Sequence, residues 1–254
     1  MCMEPDSRPP IAAIAGAAVS HEDIVLESSD ANRFAAFVAR PDDPARAGIV
    51  ILPDIRGLHR FYEELALRFA ERGYAAIAID YYGRVAGVSK RGADFPAMEM
   101  RQHLDTDAVQ LDAAAAIDRM RDALGVASVF TLGCCFGGSA AWLATTGERK
   151  LAGAIGYHGG LGERGGKPGP IKQAGAMKAP ILAIQGGADQ HISAEDNAAF
   201  DAALSAAGVE HEVVIEPGAP HSFFDVRFEE FAEQSEDAWR RTLEFIERHS
   251  SVAA

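Results

Sequence analysis

From Gly48 onward, short apolar runs alternate with amphipathic stretches of helical length. Gly48–Leu52, Ala75–Ile79, Ser128–Leu132, Ala152–Gly156, Ile181–Gln185 and Glu210–Ile215 are the candidate buried strands. Between and after them lie Phe61–Arg72, Asp105–Leu124, Ser139–Thr146, Ala194–Ala207 and Phe231–His249. Strands of this kind separated by helices predict an α/β domain with a mostly parallel central sheet and helices on both faces. Ahead of this alternation, Ile24–Glu27 and Phe34–Ala39 flank the turn-prone Ser28-Ser29-Asp30-Ala31-Asn32, which predicts an N-terminal antiparallel hairpin. No fixed repeat and no low-complexity linker divides the chain, so residues 21–254 are expected as one domain. Gly83–Ala97 and Gly162–Gly175 are long connections suited either to shaping a cleft or to serving as surface crossovers.

Met1–Ser20 is expected as a flexible leader. Ile11–Val19 is short enough for a signal-peptide core, but the residues before it carry Glu4 and Asp6 against only Arg8, where a secretory segment needs positive charge. A domain of this length buries roughly three quarters of its unfolded surface, so its core needs no covalent or metal staple. No apolar run approaches the ~20 residues that span a bilayer. The formal charge of −13 comes from scattered acids, which argues against a nucleic-acid partner because phosphate binding needs a basic stripe. Cys2, Cys134 and Cys135 make a poor disulfide framework and point to a reducing, cytoplasmic setting.

The sharpest local feature is Gly133-Cys134-Cys135-Phe136-Gly137-Gly138, directly after a predicted strand and before a predicted helix. It reads as a nucleophile elbow, in which the central residue sits on a strained turn and its neighbours must be small so that strand and helix can approach. Cys135 is the candidate nucleophile, since backbone N–H groups at a helix start favour a thiolate. The alternative is a small buried hydrophobe, the reading given to Cys134.

An elbow of this architecture requires an acid and then a base downstream. Asp189 follows the strand Ile181–Gln185, and His221 follows the strand Glu210–Ile215, both at the carboxyl edge where ligands bind in open α/β sheets. His191 competes with His221 as base, but the required order favours His221. His59 and His158 follow strands and are candidates for the pocket rim, whereas His21, His103, His211 and His249 are expected to be solvated or packing.

Leu52-Pro53-Asp54-Ile55-Arg56-Gly57, Asp80-Tyr81-Tyr82-Gly83-Arg84, the cysteine elbow, Gly187-Ala188-Asp189 and His221-Ser222-Phe223 together resemble the dienelactone hydrolase family, the carboxymethylenebutenolidases of the α/β-hydrolase fold. The resemblance runs from about His21 to Glu247. It implies a hydrolase of small esters or lactones with a Cys135-His221-Asp189 triad and a covalent acyl-thioester. It further implies an oxyanion hole from the backbone N–H groups of Ile55 and Phe136, and Asp54 as the acidic neighbour of the thiol in place of the family's usual glutamate. By the same resemblance, Arg84 binds a substrate carboxylate and Ser222 lines the site. A second arginine is expected four residues after the histidine, where this chain has Asp225. No metal or cofactor is expected, and the partner is a small-molecule substrate. The alternatives left open are a carboxylesterase or thioesterase with an uncharged substrate, a non-catalytic binding protein that keeps the fold, and a thiol redox protein.

Overall fold

The computed structural model describes residues 3–250; Met1, Cys2 and residues 251–254 lie outside it. Eight strands form one sheet: β1 Val19–Glu27, β2 Arg33–Pro41, β3 Gly48–Leu52, β4 Ala75–Ile79, β5 Val129–Cys134, β6 Gly153–Tyr157, β7 Ile181–Gly186 and β8 His211–Glu216. Their spatial order is β1-β2-β4-β3-β5-β6-β7-β8. The pairs β1/β2 and β2/β4 are antiparallel, and every pairing from β4/β3 across to β7/β8 is parallel. The helices are α1 Arg60–Ala70, α2 Gly83–Ala86, α3 Ala97–Met100, α4 Thr106–Asp122, α5 Phe136–Leu143, α6 Pro170–Gln173, α7 Ala194–Ala207 and α8 Ala232–His249.

The two-residue period of the strands divides the core. Ile49 and Ile51 of β3 join Phe130 and Leu132 of β5 beneath α1 and α8, while Val50 and Leu52 face Val109, Ala113 and Ile117 of α4. A third cluster packs Trp142 and α7 residues Phe200 and Leu204 against Ala154, Ile181 and Ala183. Local signals set the helix ends. Asp105 caps α4 by accepting from the N–H groups of Asp107 and Ala108, and Ser193 and Asp196 form a capping box on α7. Gly208 ends α7 in the left-handed region.

The hairpin strands are longer than their apolar cores suggested, pairing from Val19↔Pro41 to Glu27↔Arg33. Helix α5 starts at Phe136 rather than Ser139, because the elbow delivers the chain directly into helical geometry. The stretch expected as a leader lies against the domain from Met3 onward: Met3 is fully buried in the core beside α1, Ile11 packs against that core, and β1 already begins at Val19.

Candidate active site

The carboxyl ends of β3, β5, β7 and β8 converge on one edge of the sheet. Cys135, between β5 and α5, has φ 55° and ψ −116°. A non-glycine residue held there stores strain of about 1–3 kcal/mol, which the surroundings must impose. The neighbouring glycines show how. A Cβ on Gly133 would lie 2.0 Å from the Gly137 carbonyl oxygen, and one on Gly137 would lie 1.9 Å from that of Leu52. Strand, helix and the β3 loop therefore meet with no room for a side chain. Cys134 points the other way, fully buried, and burial pushes its thiol pKa well up.

His221 Nδ1 lies 2.6 Å from Asp189 Oδ2, and the same ring hydrogen-bonds the Cys135 thiol. Burial alone would lower the pKa of His221, but those two hydrogen bonds and the adjacent charges outweigh it and raise it to about 9. Burial works against the Asp189 carboxylate, yet bonds from His221 and from the His191 N–H, the latter at 2.8 Å, hold its pKa below the usual value. His191 thus supplies a backbone donor to the acid, while its ring stands edge-on to His221 at 5.4 Å. His158, φ 38° and fully buried, also packs against His221, with ring centroids 4.6 Å apart.

Asp54 is completely buried. Burial first, and the charge of Cys135 second, raise its carboxyl to about 7. The peptide around it is held by three tyrosines: the Tyr62 hydroxyl accepts from the Asp54 N–H at 2.8 Å, Tyr81 donates to the Pro53 carbonyl at 3.0 Å, and Tyr82 donates to the Ile55 carbonyl at 2.5 Å. The Ile55 N–H has no acceptor among the described residues, and that of Phe136, in the first turn of α5, has no intrahelical one. Both residues line a cavity of about 670 Å³ together with Cys135 and His221.

Residues of the 162–175 connection form one wall of this cavity, whereas the 83–97 connection contributes none of its lining. Arg56, Arg101, Arg164 and Lys167 face it; Arg56 pairs with Glu4 and Lys167 with Asp105 and Asp107. Arg101 and Arg164 have no acidic partner among the described residues, and Arg164 lies over the Phe136 ring at 4.6 Å. Arg84 does not line the cavity. Its guanidinium is taken by Asp30 in the hairpin turn and by Asp112 of α4, the latter at 2.8 Å, so the carboxylate-binding position implied by the resemblance is not built. Ser222, φ 63°, is buried and faces a neighbouring hollow instead. Asp225 is buried too, bound by Arg227 at 2.7 Å. Tyr81 and Tyr82 stood in the quoted motifs without a role and Tyr62 stood outside them, while Arg164 lay in a connection suited to shaping a cleft but carried no signal of its own.

Among the described residues, no group of three or more His, Cys, Asp or Glu side chains is arranged to hold a metal ion, and no helix is long and apolar enough to cross a membrane.

A mostly parallel sheet, a cysteine elbow and an Asp-His pair at one edge define the α/β-hydrolase fold. Residues 34–250 match the dienelactone hydrolase family, and the chain belongs to that family of ester hydrolases. It is 30% identical to the carboxymethylenebutenolidase of Rhodococcus opacus over 81% of this chain and 82% of that protein. A relative in Escherichia coli strain K12, provisionally given the same name, is 29% identical over 87% of this chain and 84% of its own length. The crystal structure of a provisionally named dienelactone hydrolase from Klebsiella pneumoniae superposes with a TM-score of 0.79 at 25% identity, covering 90% of this chain and 98% of the other.

Proposed function

We propose that the protein hydrolyses small esters or lactones through a covalent acyl-thioester on Cys135. The observation that supports this most directly is the His221 ring, bonded on one side to Asp189 and on the other to Cys135. Because His221 holds its proton up to about pH 9, it can pair as an imidazolium with the Cys135 thiolate, the form that attacks a carbonyl. Attack forms the S–C bond and places the carbonyl electrons on oxygen, which the N–H groups of Ile55 and Phe136 receive. Losing one such donor costs roughly 3–4 kcal/mol of barrier in a comparable hydrolase. His221 then gives its proton to the departing alkoxide, and as a neutral base it activates the water that cleaves the thioester. Asp189 orients the ring and stabilises its cationic form.

Asp54, charged above about pH 7, disfavours the thiolate and so holds part of Cys135 in the thiol form. Arg101 and Arg164 suit a substrate with a negative group remote from the scissile carbonyl. A reducing cytoplasm would keep the thiol active. The test is turnover of a lactone and ester library by wild type and by Cys135→Ala. A substrate consumed only by wild type is the expected result; equal consumption by both, or none by either, overturns the reading.

A further inference from the structure

The chain ahead of the hairpin makes specific contacts with both sides of the site. The Met3 N–H donates to Asp54 Oδ2 at 2.7 Å, and the Arg56 N–H to Asp54 Oδ1 at 2.7 Å. The buried carboxyl therefore takes one donor from its own loop and one from a residue 51 positions earlier in the chain. Glu4 Oε2 pairs with the Arg56 guanidinium at 2.6 Å. A few residues on, Asp6 pairs with Arg227 at 3.1 Å, and the Arg8 carbonyl accepts from the Val226 N–H at 3.1 Å. Arg227 in turn grips the buried Asp225, four residues past His221. The Arg8 side chain reaches Glu64 of α1 at 2.9 Å. Glu4 also lines the hollow bounded by His191, His221 and Arg227.

We propose that Met3, Glu4 and Asp6 are positioning residues of the active site, and that residues 3–8 tie the loop bearing the Ile55 N–H to the loop bearing His221. The proposal rests on Cys135 being the nucleophile. The oxyanion donor and the base belong to loops separated by more than half the chain, and this one segment bonds to both of them. The Met3 N–H has a further effect. It stabilises the ionised form of Asp54, and so sets how strongly that residue opposes the thiolate. The charged and titratable groups facing Asp54 are Arg56 from its own loop, Tyr62 from α1, Tyr81 after β4, and Cys134 and Cys135 from the elbow.

Two full-length variants test this. Met3→Pro removes the N–H, so Asp54 keeps its proton to higher pH and repels the thiolate less. Alkylation of Cys135 by iodoacetamide at pH 7 should rise about threefold, equivalent to half a pH unit in its profile, and Met3→Leu, which retains the N–H, should rescue it. Glu4→Gln/Asp6→Asn cuts the ties to both loops while leaving the backbone donor. Its kcat on the preferred ester should fall about fivefold with KM within about twofold and the melting temperature close to that of wild type. An unchanged alkylation profile in folded Met3→Pro together with unchanged kcat in the double variant overturns the proposal while wild-type turnover leaves the nucleophile assignment standing. If Met3→Pro does not fold, the double variant decides. If wild type and Cys135→Ala turn over alike, the nucleophile assignment fails instead; the alkylation arm, which needs no substrate, still reports whether the segment controls Asp54.

Discussion

The ring of His158 packs 4.6 Å from that of His221, yet neither of its nitrogens has a hydrogen-bond partner among the described residues. Burial holds its pKa well below 6.5, so it supplies a neutral wall behind the proposed base. The unfolded chain takes up a proton here below pH 6.5 and the native state does not, so this residue subtracts stability as the solution is acidified. His158→Phe should retain the pH–rate profile of wild type. Its stability advantage should widen by about 1.4 kcal/mol per pH unit below 6.5, as measured by urea unfolding at several pH values.

Asp189→Asn removes the charge that sustains the imidazolium. Burial then goes largely unopposed, the pKa of His221 drops, and the thiolate loses its partner at lower pH. The variant should lose between about 100-fold and 10,000-fold in kcat, as a comparable triad substitution does, and its alkylation by iodoacetamide at pH 7.5 should slow. The same raised pKa makes a stability prediction for wild type. The charged His221 contributes fully below pH 6.5, and that contribution is lost as pH rises through about 9. The loss should be absent from His221→Gln.

Tyr82→Phe deletes the hydroxyl that fixes the Ile55 carbonyl, on the peptide unit next to the one carrying the proposed oxyanion donor. Loosening that loop should reduce kcat about tenfold, or about 1.4 kcal/mol of barrier, while KM stays within about twofold. Steady-state kinetics on a neutral ester gives both quantities. Loss of stability should stay near 1 kcal/mol, the net worth of one neutral hydrogen bond.

Arg84 and Arg164 should separate cleanly. Arg84→Ala leaves the buried Asp112 carboxylate without its cation, and should cost about 1–3 kcal/mol in chemical denaturation with unchanged KM. Arg164→Ala should raise KM for a carboxylated ester by about tenfold and leave a neutral p-nitrophenyl ester unaffected, the ordinary value of one charge-assisted contact. The reverse pattern would place the anion at Arg84.

The strand pattern was legible because buried parallel strands must be apolar on both faces, and Gly133 and Gly137 announced the close approach at the elbow. Order along the chain was enough to bring Asp189 and His221 together. The fate of Arg84 was not legible. Its partner Asp30 comes from the hairpin turn and Asp112 from the middle of α4, and neither position carries a local signal of that pairing. The path of the first residues was equally hidden, because an acidic, proline-containing stretch without periodicity reads as solvated chain until Arg56, Arg227 and the buried Asp54 are in place to receive it.

The contact of Gly137 with the carbonyls of Leu52 and Pro53 makes the first turn of α5 and the end of β3 a single solid block. The turn that carries Cys135 is thereby pinned to the end of β3, which leaves the loop around Ile55 and the outer wall at residues 162–170 as the parts that can vary. Grafting this chemistry onto another scaffold would require transplanting both backbone pieces as one unit.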